Sequence, residues 1–338
     1  MPSALVALLL VAATVVSLAA SAVLVARLER IFAWLGLSAA LLGLGAALAA
    51  DAPEVTSAVT ALARGQQQVG TGVILGSNVF NLAALIGLGA VTAGGIAVHR
   101  RSVLLEGGVA PRIAAVTLAA VTSAVPPALA LALALALAAL VPYVYISAAH
   151  PSARARLPAP AWLRSWLAGA LSEEEQEISG LSPDRPGGRR DLGAASLALT
   201  AVAAASAVME QAATTLGTRL AVPDAITGAI VLAAVTSLPN TVAAIYLARR
   251  GRAAATLSEA MNSNTLNIVT GLLIPAIIIG GSGLGTGLRA AAWYAALTLG
   301  VVALALAGRG VTRRTGLLIV YAYAVFVITV VITAIRSA

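Results

Sequence analysis

Asp51 and Glu54 stand three positions apart inside an otherwise apolar stretch, a setting in which carboxylates need a physical reason. The i, i+3 spacing puts them on one side of a helix with Ala47 and Ala50, so both acids face the same space. Ser77 and Asn81 lie i, i+4 on a second segment, Thr236, Ser237 and Asn240 share a face of a third, and Ser263 and Asn267 share a face of a fourth. In these nine polar side chains every atom able to bind a cation is an oxygen: two carboxylates, three amide carbonyls and four hydroxyls. Oxygen-only donors suit hard cations such as Na⁺, Ca²⁺ or Mg²⁺ and are poor for copper or zinc. A carboxylate without a partner inside a membrane costs roughly 2.5–3.5 kcal/mol on insertion scales, so an adjacent pair argues for a bound cation or a proton. The bland alternative is an internal ion pair, and Arg112 is the only candidate buried arginine that could provide it. Glu259, four residues before Ser263 on the same face, is a candidate third charge at the site or in its vestibule. Glu210 and Glu106 are expected to snorkel or pair at an interface and stay outside the primary set.

The same residues mark an internal repeat. Pro53-Glu54, Ser77-Asn78 and Asn81 recur as Pro239-Asn240, Ser263-Asn264 and Asn267, each pair separated by 186 positions, and the offset also relates Ser38 to Asp224. The copies begin at the second and seventh apolar segments, an odd separation, so the second copy enters the membrane from the opposite side. Inverted repeats of this kind place a shared site near the bilayer midplane, where broken helices expose backbone groups. Pro53 and Pro239 fit such breaks, because a proline within a helix removes one hydrogen bond and frees a carbonyl.

The elements that must hold these residues are membrane helices. Of 338 residues 60% are hydrophobic and 10% charged, against roughly 45–50% and about 25% in an ordinary soluble domain. Ten segments reach the length of about 20 apolar residues that a span needs: 3–26, 36–63, 67–91, 102–122, 126–148, 192–217, 224–248, 255–280, 286–307 and 315–335. The first could pass for a secretory leader, but it lacks a positive start, its apolar run is too long, and the repeat gives it a counterpart. The expected plan is an all-α integral membrane protein: a five-helix repeat over 1–148, a cytoplasmic loop over 149–191 and a second five-helix repeat over 192–338. The loop carries Glu173, Glu174, Glu175 and Glu177 and is expected to be solvated, with a short interfacial helix around Trp162 and Trp166.

Charge sets the orientation. The connectors after the first, third, fifth, seventh and ninth segments hold sixteen arginines, and the remaining connectors and ends hold four. Positive residues stay inside, so both termini are expected outside, in a plasma or inner membrane. The net charge of +8 is scattered between apolar runs rather than gathered on one face, which argues against nucleic acid as a partner. With Cys 0 and only His99 and His150, thiolate sites, disulfides and the usual transition-metal ligands are excluded, and no cofactor is expected.

Ala50-Asp51-Ala52-Pro53-Glu54 with Gly76-Ser77-Asn78-Val79-Phe80-Asn81, and Thr236-Ser237-Leu238-Pro239-Asn240 with Asn262-Ser263-Asn264-Thr265-Leu266-Asn267, resemble the two alpha repeats of the sodium/calcium exchanger family, within the cation/calcium antiporters. The resemblance implies that Na⁺ and Ca²⁺ are ligated in alternating-access exchange. By position it implies as ligands Ala47 and Ala50 (backbone), Asp51, Glu54, Ser77, Asn81, Ala233 (backbone), Thr236, Ser237, Asn240, Ser263 and Asn267. Three departures stand out: Ala50 and Asp51 replace the family's Thr and Ser, Asn240 replaces its second acid, and Asn262 replaces the second repeat's Gly. Two formal negatives are kept, but both sit in the first repeat, where the close pair repels and invites proton coupling.

The leading expectation is a secondary antiporter exchanging Ca²⁺ for Na⁺. A proton-coupled exchanger on the same fold and a transport-inactive cation-binding relative are the alternatives. An intramembrane hydrolase is poorly supplied, since the carboxylate pair has no matching His, Cys or second acid.

Overall fold

The computed structural model describes residues 1–35, 47, 49–97, 100–149, 160–178, 187–249, 253–308 and 310–337. Its elements follow the apolar segments: α1 (Ser3–Trp34), α2 (Ala52–Ala63), α3 (Gln67–Ala93), α4 (Arg100–Val121), α5 (Pro127–Ala149), α6 (Ala161–Ile178) and α7 (Arg189–Arg219), then α8 (Asp224–Thr236), α9 (Leu238–Arg249), α10 (Ala253–Leu266), α11 (Leu288–Gly308) and α12 (Arg313–Ser337). Two short strands, β1 (Gly95–Ala97) and β2 (Gly310–Thr312), pair antiparallel with Ile96 opposite Val311, a ladder that the apolar pattern did not announce. Among the described residues six helical stretches are long and apolar enough to cross a membrane, including Gln67–Ala93 and Glu259–Ile279.

The surface, unlike that of a soluble protein, is largely apolar. Leu8, Val11, Val15 and Val16 of α1 and Leu197 and Leu199 of α7 point outward, exposed, as lipid-facing residues do. What α1 hides is a narrow stripe, Val6, Ala13, Ser17, Ser21 and Leu24, laid along Ala198, Val202, Ala205 and Ser206 of α7, with the Ser17 and Ser206 hydroxyls 3.4 Å apart. Small residues let the two backbones approach where no hydrophobic drive separates helix from lipid.

The interior belongs to α3 and α10. Residues Val69–Val79 of α3 are buried without interruption, so this helix has no polar face turned to solvent. Beyond Asn81 the helix widens into π-helical turns over Leu82–Leu88; after α10 the chain does the same over Asn267–Leu273 and continues as a short helix, Ile274–Ile279. Gly72 and Gly76 of α3 lie against α8 so closely that a Cβ on Gly76 would sit 2.3 Å from the Ala229 carbonyl oxygen. Glycine is required there by backbone approach.

Contacts between connectors fall into two sets. Arg27 binds Asp191 at 2.9 Å, the Gly187 amide donates to the Arg30 carbonyl, and β1 pairs with β2. In the other set, Arg219 donates to the Met1 carbonyl at 2.7 Å and the Thr71 and Thr286 hydroxyls meet at 3.0 Å. Asp191 also accepts from the Gly188 amide at 3.0 Å, closing the first turn of α7.

Two expectations change. Within the 149–191 connector the expected short helix around Trp162 and Trp166 is longer: Ala161–Ile178 forms an 18-residue helix packed on α4, α5 and α10. Arg112 is not an internal partner; it is exposed on α4 and donates to the Gly108 carbonyl of its own helix. Ser38, His99 and His150, and the stretches 150–159 and 179–186, lie outside the described residues.

Candidate cation site

Both predicted breaks are present. The chain is helical at Ala47, Ala49 and Ala50, turns at Asp51 (φ −80°, ψ −8°) and resumes as α2. It turns again at Ser237 (φ −83°, ψ 4°), between α8 and α9. Asp51 and Ser237 are 186 positions apart, and in each case a proline two residues later, Pro53 or Pro239, withholds the N–H that would have bonded the carbonyl four residues earlier. The turn residues still bridge the gap: the Asp51 amide donates to Ala47 O at 2.9 Å and the Ser237 amide to Ala233 O at 3.2 Å.

Asp51, Glu54, Ser77, Asn81, Ser237, Asn240, Ser263 and Asn267 are all fully buried. The Asn240 amide nitrogen donates to Asp51 Oδ1 at 2.8 Å and to Glu54 Oε1 at 3.2 Å, clamping the two carboxylates with one neutral group. Ser263 donates to Asp51 Oδ1 at 2.5 Å, and Asn81 donates to Ser263 Oγ at 3.2 Å. Ser77 donates to the Ala233 carbonyl at 3.4 Å, which places that backbone oxygen at the cluster. Among the described residues the Asn240 and Ser263 groups that bond the Asp51 and Glu54 side chains are neutral, and neither carboxylate joins an ion pair.

The structure does not gather the whole predicted set. Thr236 is buried but spends its hydroxyl on Leu232 O at 2.9 Å in its own helix, and Ala50 contributes no side-chain donor. Ala47 O accepts from the Asp51 amide just as Ala233 O does from the Ser237 amide, but among the described residues no side chain of the cluster reaches it. What the sequence reading passed over are the second members of the two Ser-Asn pairs. Asn78 donates to Asn264 O at 3.1 Å and Asn264 to Asn78 O at 3.0 Å, a reciprocal clasp between α3 and α10. Around it, Asn81 donates to Asn264 Oδ1 and Asn267 to Asn78 Oδ1, both at 3.2 Å. Each bond maps onto its mate under the 186 offset, so the signal was present in the repeat; only their recurrence marked them, and no chemistry did. Glu210, also fully buried, binds Arg64 at 2.9 Å, the interface pairing expected of it.

The oxygens left over define what the cluster can hold. Asp51 Oδ2, Glu54 Oε2, Asn81 Oδ1, Ser237 Oγ, Asn240 Oδ1 and Asn267 Oδ1 are buried and accept no hydrogen bond. A buried acceptor left unpaired costs about 1–3 kcal/mol, more if charged, so six together make a standing demand for a positive ligand. All are hard oxygen donors of the kind Na⁺ and Ca²⁺ coordinate.

Comparison with known proteins places this geometry. The sodium/calcium exchanger protein family is matched over residues 5–149 and 192–332, on either side of the 149–191 connector. The mouse sodium/potassium/calcium exchanger 4 is 33% identical over 135 residues and the human protein 31%, a match covering 37% of this chain and 22% of each relative's length. Among solved structures the chain is similar to the H⁺/Ca²⁺ exchanger CAX (TM-score 0.70, 14% identity, covering 99% of this chain and 87% of that one) and native YfkE (0.67, 15%, 98% and 93%). It is also similar to the sodium-calcium exchanger NCX_Mj (0.58, 15%, 96% and 98%). The fold is thus that of an all-helical, multi-pass membrane exchanger. The chain belongs to the sodium/calcium exchanger family.

Proposed function

We propose that the chain is a secondary cation antiporter that moves Ca²⁺ against Na⁺ by alternating access at the Asp51–Glu54–Asn240 cluster. The observation that carries this is the set of buried, unpaired oxygens around two carboxylates that only neutral groups touch. Asn240 stands where relatives in this family carry an acid, and Asp51 supplies the missing charge from the other repeat, so two negatives remain for a divalent ion. Ca²⁺ takes six to eight oxygens, a number within reach of the unpaired oxygens together with Ser77, Ser263 and the Ala233 carbonyl. Thr236, Ala47 and Ala50 would join only through backbone groups or after rearrangement. The ions are cargo; no cofactor is required.

The same reading includes ten spans in two inverted five-helix repeats, 1–148 and 192–338, joined by the 149–191 connector, with termini outside and that connector inside. The connector contacts support it. Each pairs loops that the ten-span plan puts on one side: β1 with β2, Arg27 with Asp191, Met1 with Arg219, and Thr71 with Thr286. Proton coupling is the second reading, favoured by the proximity of Asp51 and Glu54, which share one Asn240 amide.

Ca²⁺ uptake into liposomes holding the purified protein distinguishes these. Uptake driven by an outward Na⁺ gradient and lost in Glu54→Gln is the expected result. Uptake driven by a pH gradient alone assigns H⁺ as the coupling ion, and absence of Ca²⁺ flux under both gradients overturns the Ca²⁺ antiporter.

A further inference from the structure

Glu259 is the one acid of α10 and has no role in the cluster described above. It lies one turn, about 6 Å of helix rise, before Ser263, whose hydroxyl binds Asp51. Its Oε2 is buried and accepts no hydrogen bond. Unlike Asp51 and Glu54, its residue is only partly buried, so it stands between the sealed cluster and the N-terminal end of α10.

The repeat makes this position one-sided. Under the 186 offset Glu259 corresponds to Val73, fully buried, one turn before Ser77 on α3. Because the repeats are inverted in the proposed plan, the approach along α10 passes a carboxylate and the approach along α3, from the opposite face, passes an apolar wall.

We propose that Glu259 and Asp51 form an outer cation position that receives a hard divalent ion from the face of the α9–α10 connector and hands it to the central cluster, so that the two membrane faces differ in apparent affinity. The inference rests on the antiporter reading and adds its sidedness. A carboxylate with a buried, unpaired oxygen, one turn out from the Ser263 that binds Asp51, replaces part of the hydration shell before the ion reaches the sealed oxygens, whereas Val73 offers no oxygen on the other path.

The test is Ca²⁺ flux in oriented proteoliposomes, with KM measured from each face for the unmodified chain, Glu259→Gln and Glu259→Asp. Expected is a KM for Ca²⁺ raised about tenfold in Glu259→Gln on the α9–α10 face alone, a maximal rate changed less than KM, and substantial recovery in Glu259→Asp. Ca²⁺-dependent thermal stabilisation, read in parallel, reports folding and central binding independently of flux. A KM unchanged in Glu259→Gln, or shifted equally from both faces, overturns the proposal while leaving the antiporter intact. An unmodified chain that carries no Ca²⁺ from either face overturns the antiporter reading, and with it this one.

Discussion

At the scale of single residues, Asn240 is the pivot. Its amide nitrogen satisfies one oxygen on each of two adjacent carboxylates, 2.8 Å and 3.2 Å away, and in doing so holds them together without neutralising either. An acid at this position would replace two attractive contacts with two repulsions. Asn240→Asp is therefore expected to lower the melting temperature of the ion-free protein, at a free-energy cost of about 2 kcal/mol or more, since hydrogen bonds to charged groups contribute about 1.5–3 kcal/mol each. Added Ca²⁺ should stabilise the variant more than the unmodified chain. Melting curves in detergent, with chelator and with Ca²⁺, check both signs; identical curves would mean that Asn240 does not mediate between Asp51 and Glu54.

At the scale of elements, the site depends on how closely α3 and α8 pass. Gly76 sits where any Cβ would strike Ala229, and Gly228 approaches Val69 in the same way, whereas Gly300 in α11 has open space around it. Gly76→Val is expected to cost about 1–3 kcal/mol through overpacking, or to prevent assembly. Gly300→Ala should be neutral or add up to about 1 kcal/mol, as removal of a mid-helix glycine does. Thermal melting and size-exclusion profiles of the two variants test the contrast. The departure at Asn262 has its explanation here. Gly76 is fully enclosed, but its counterpart is only half-buried, so a side chain is tolerated. The breaks at Asp51 and Ser237 were legible from Pro53 and Pro239, because the missing N–H is a property of the residue itself. The π-helical turns after Asn81 and Asn267 were not, since no residue type specifies them.

For the whole molecule, the arginine bias and the connector contacts support the proposed ten-span topology. The chain has Cys 0, so single cysteines report sidedness directly. Ser165→Cys in α6 and Ala124→Cys between α4 and α5, both at exposed positions, are expected to react with an impermeant maleimide from opposite faces, Ser165→Cys from the cytoplasmic side. Labelling of both from one face would overturn the ten-span plan.

Hydropathy and spacing alone sufficed for a membrane chain, the approximate extent of its described helices, two proline breaks, and most of the polar residues that meet in the interior. They could do so because hydropathy, helical periodicity and a 186-residue offset are properties of the chain that survive any packing arrangement. Tertiary structure alone decided which of those residues bond to which. The Asn78–Asn264 clasp, the Arg64–Glu210 pair, the turning of Thr236 to Leu232 and the exposure of Arg112 all depend on the rotation and separation of helices distant in sequence. Those are fixed by close-packed contacts such as Gly76 against Ala229, where a few tenths of an ångström decide whether two polar groups meet.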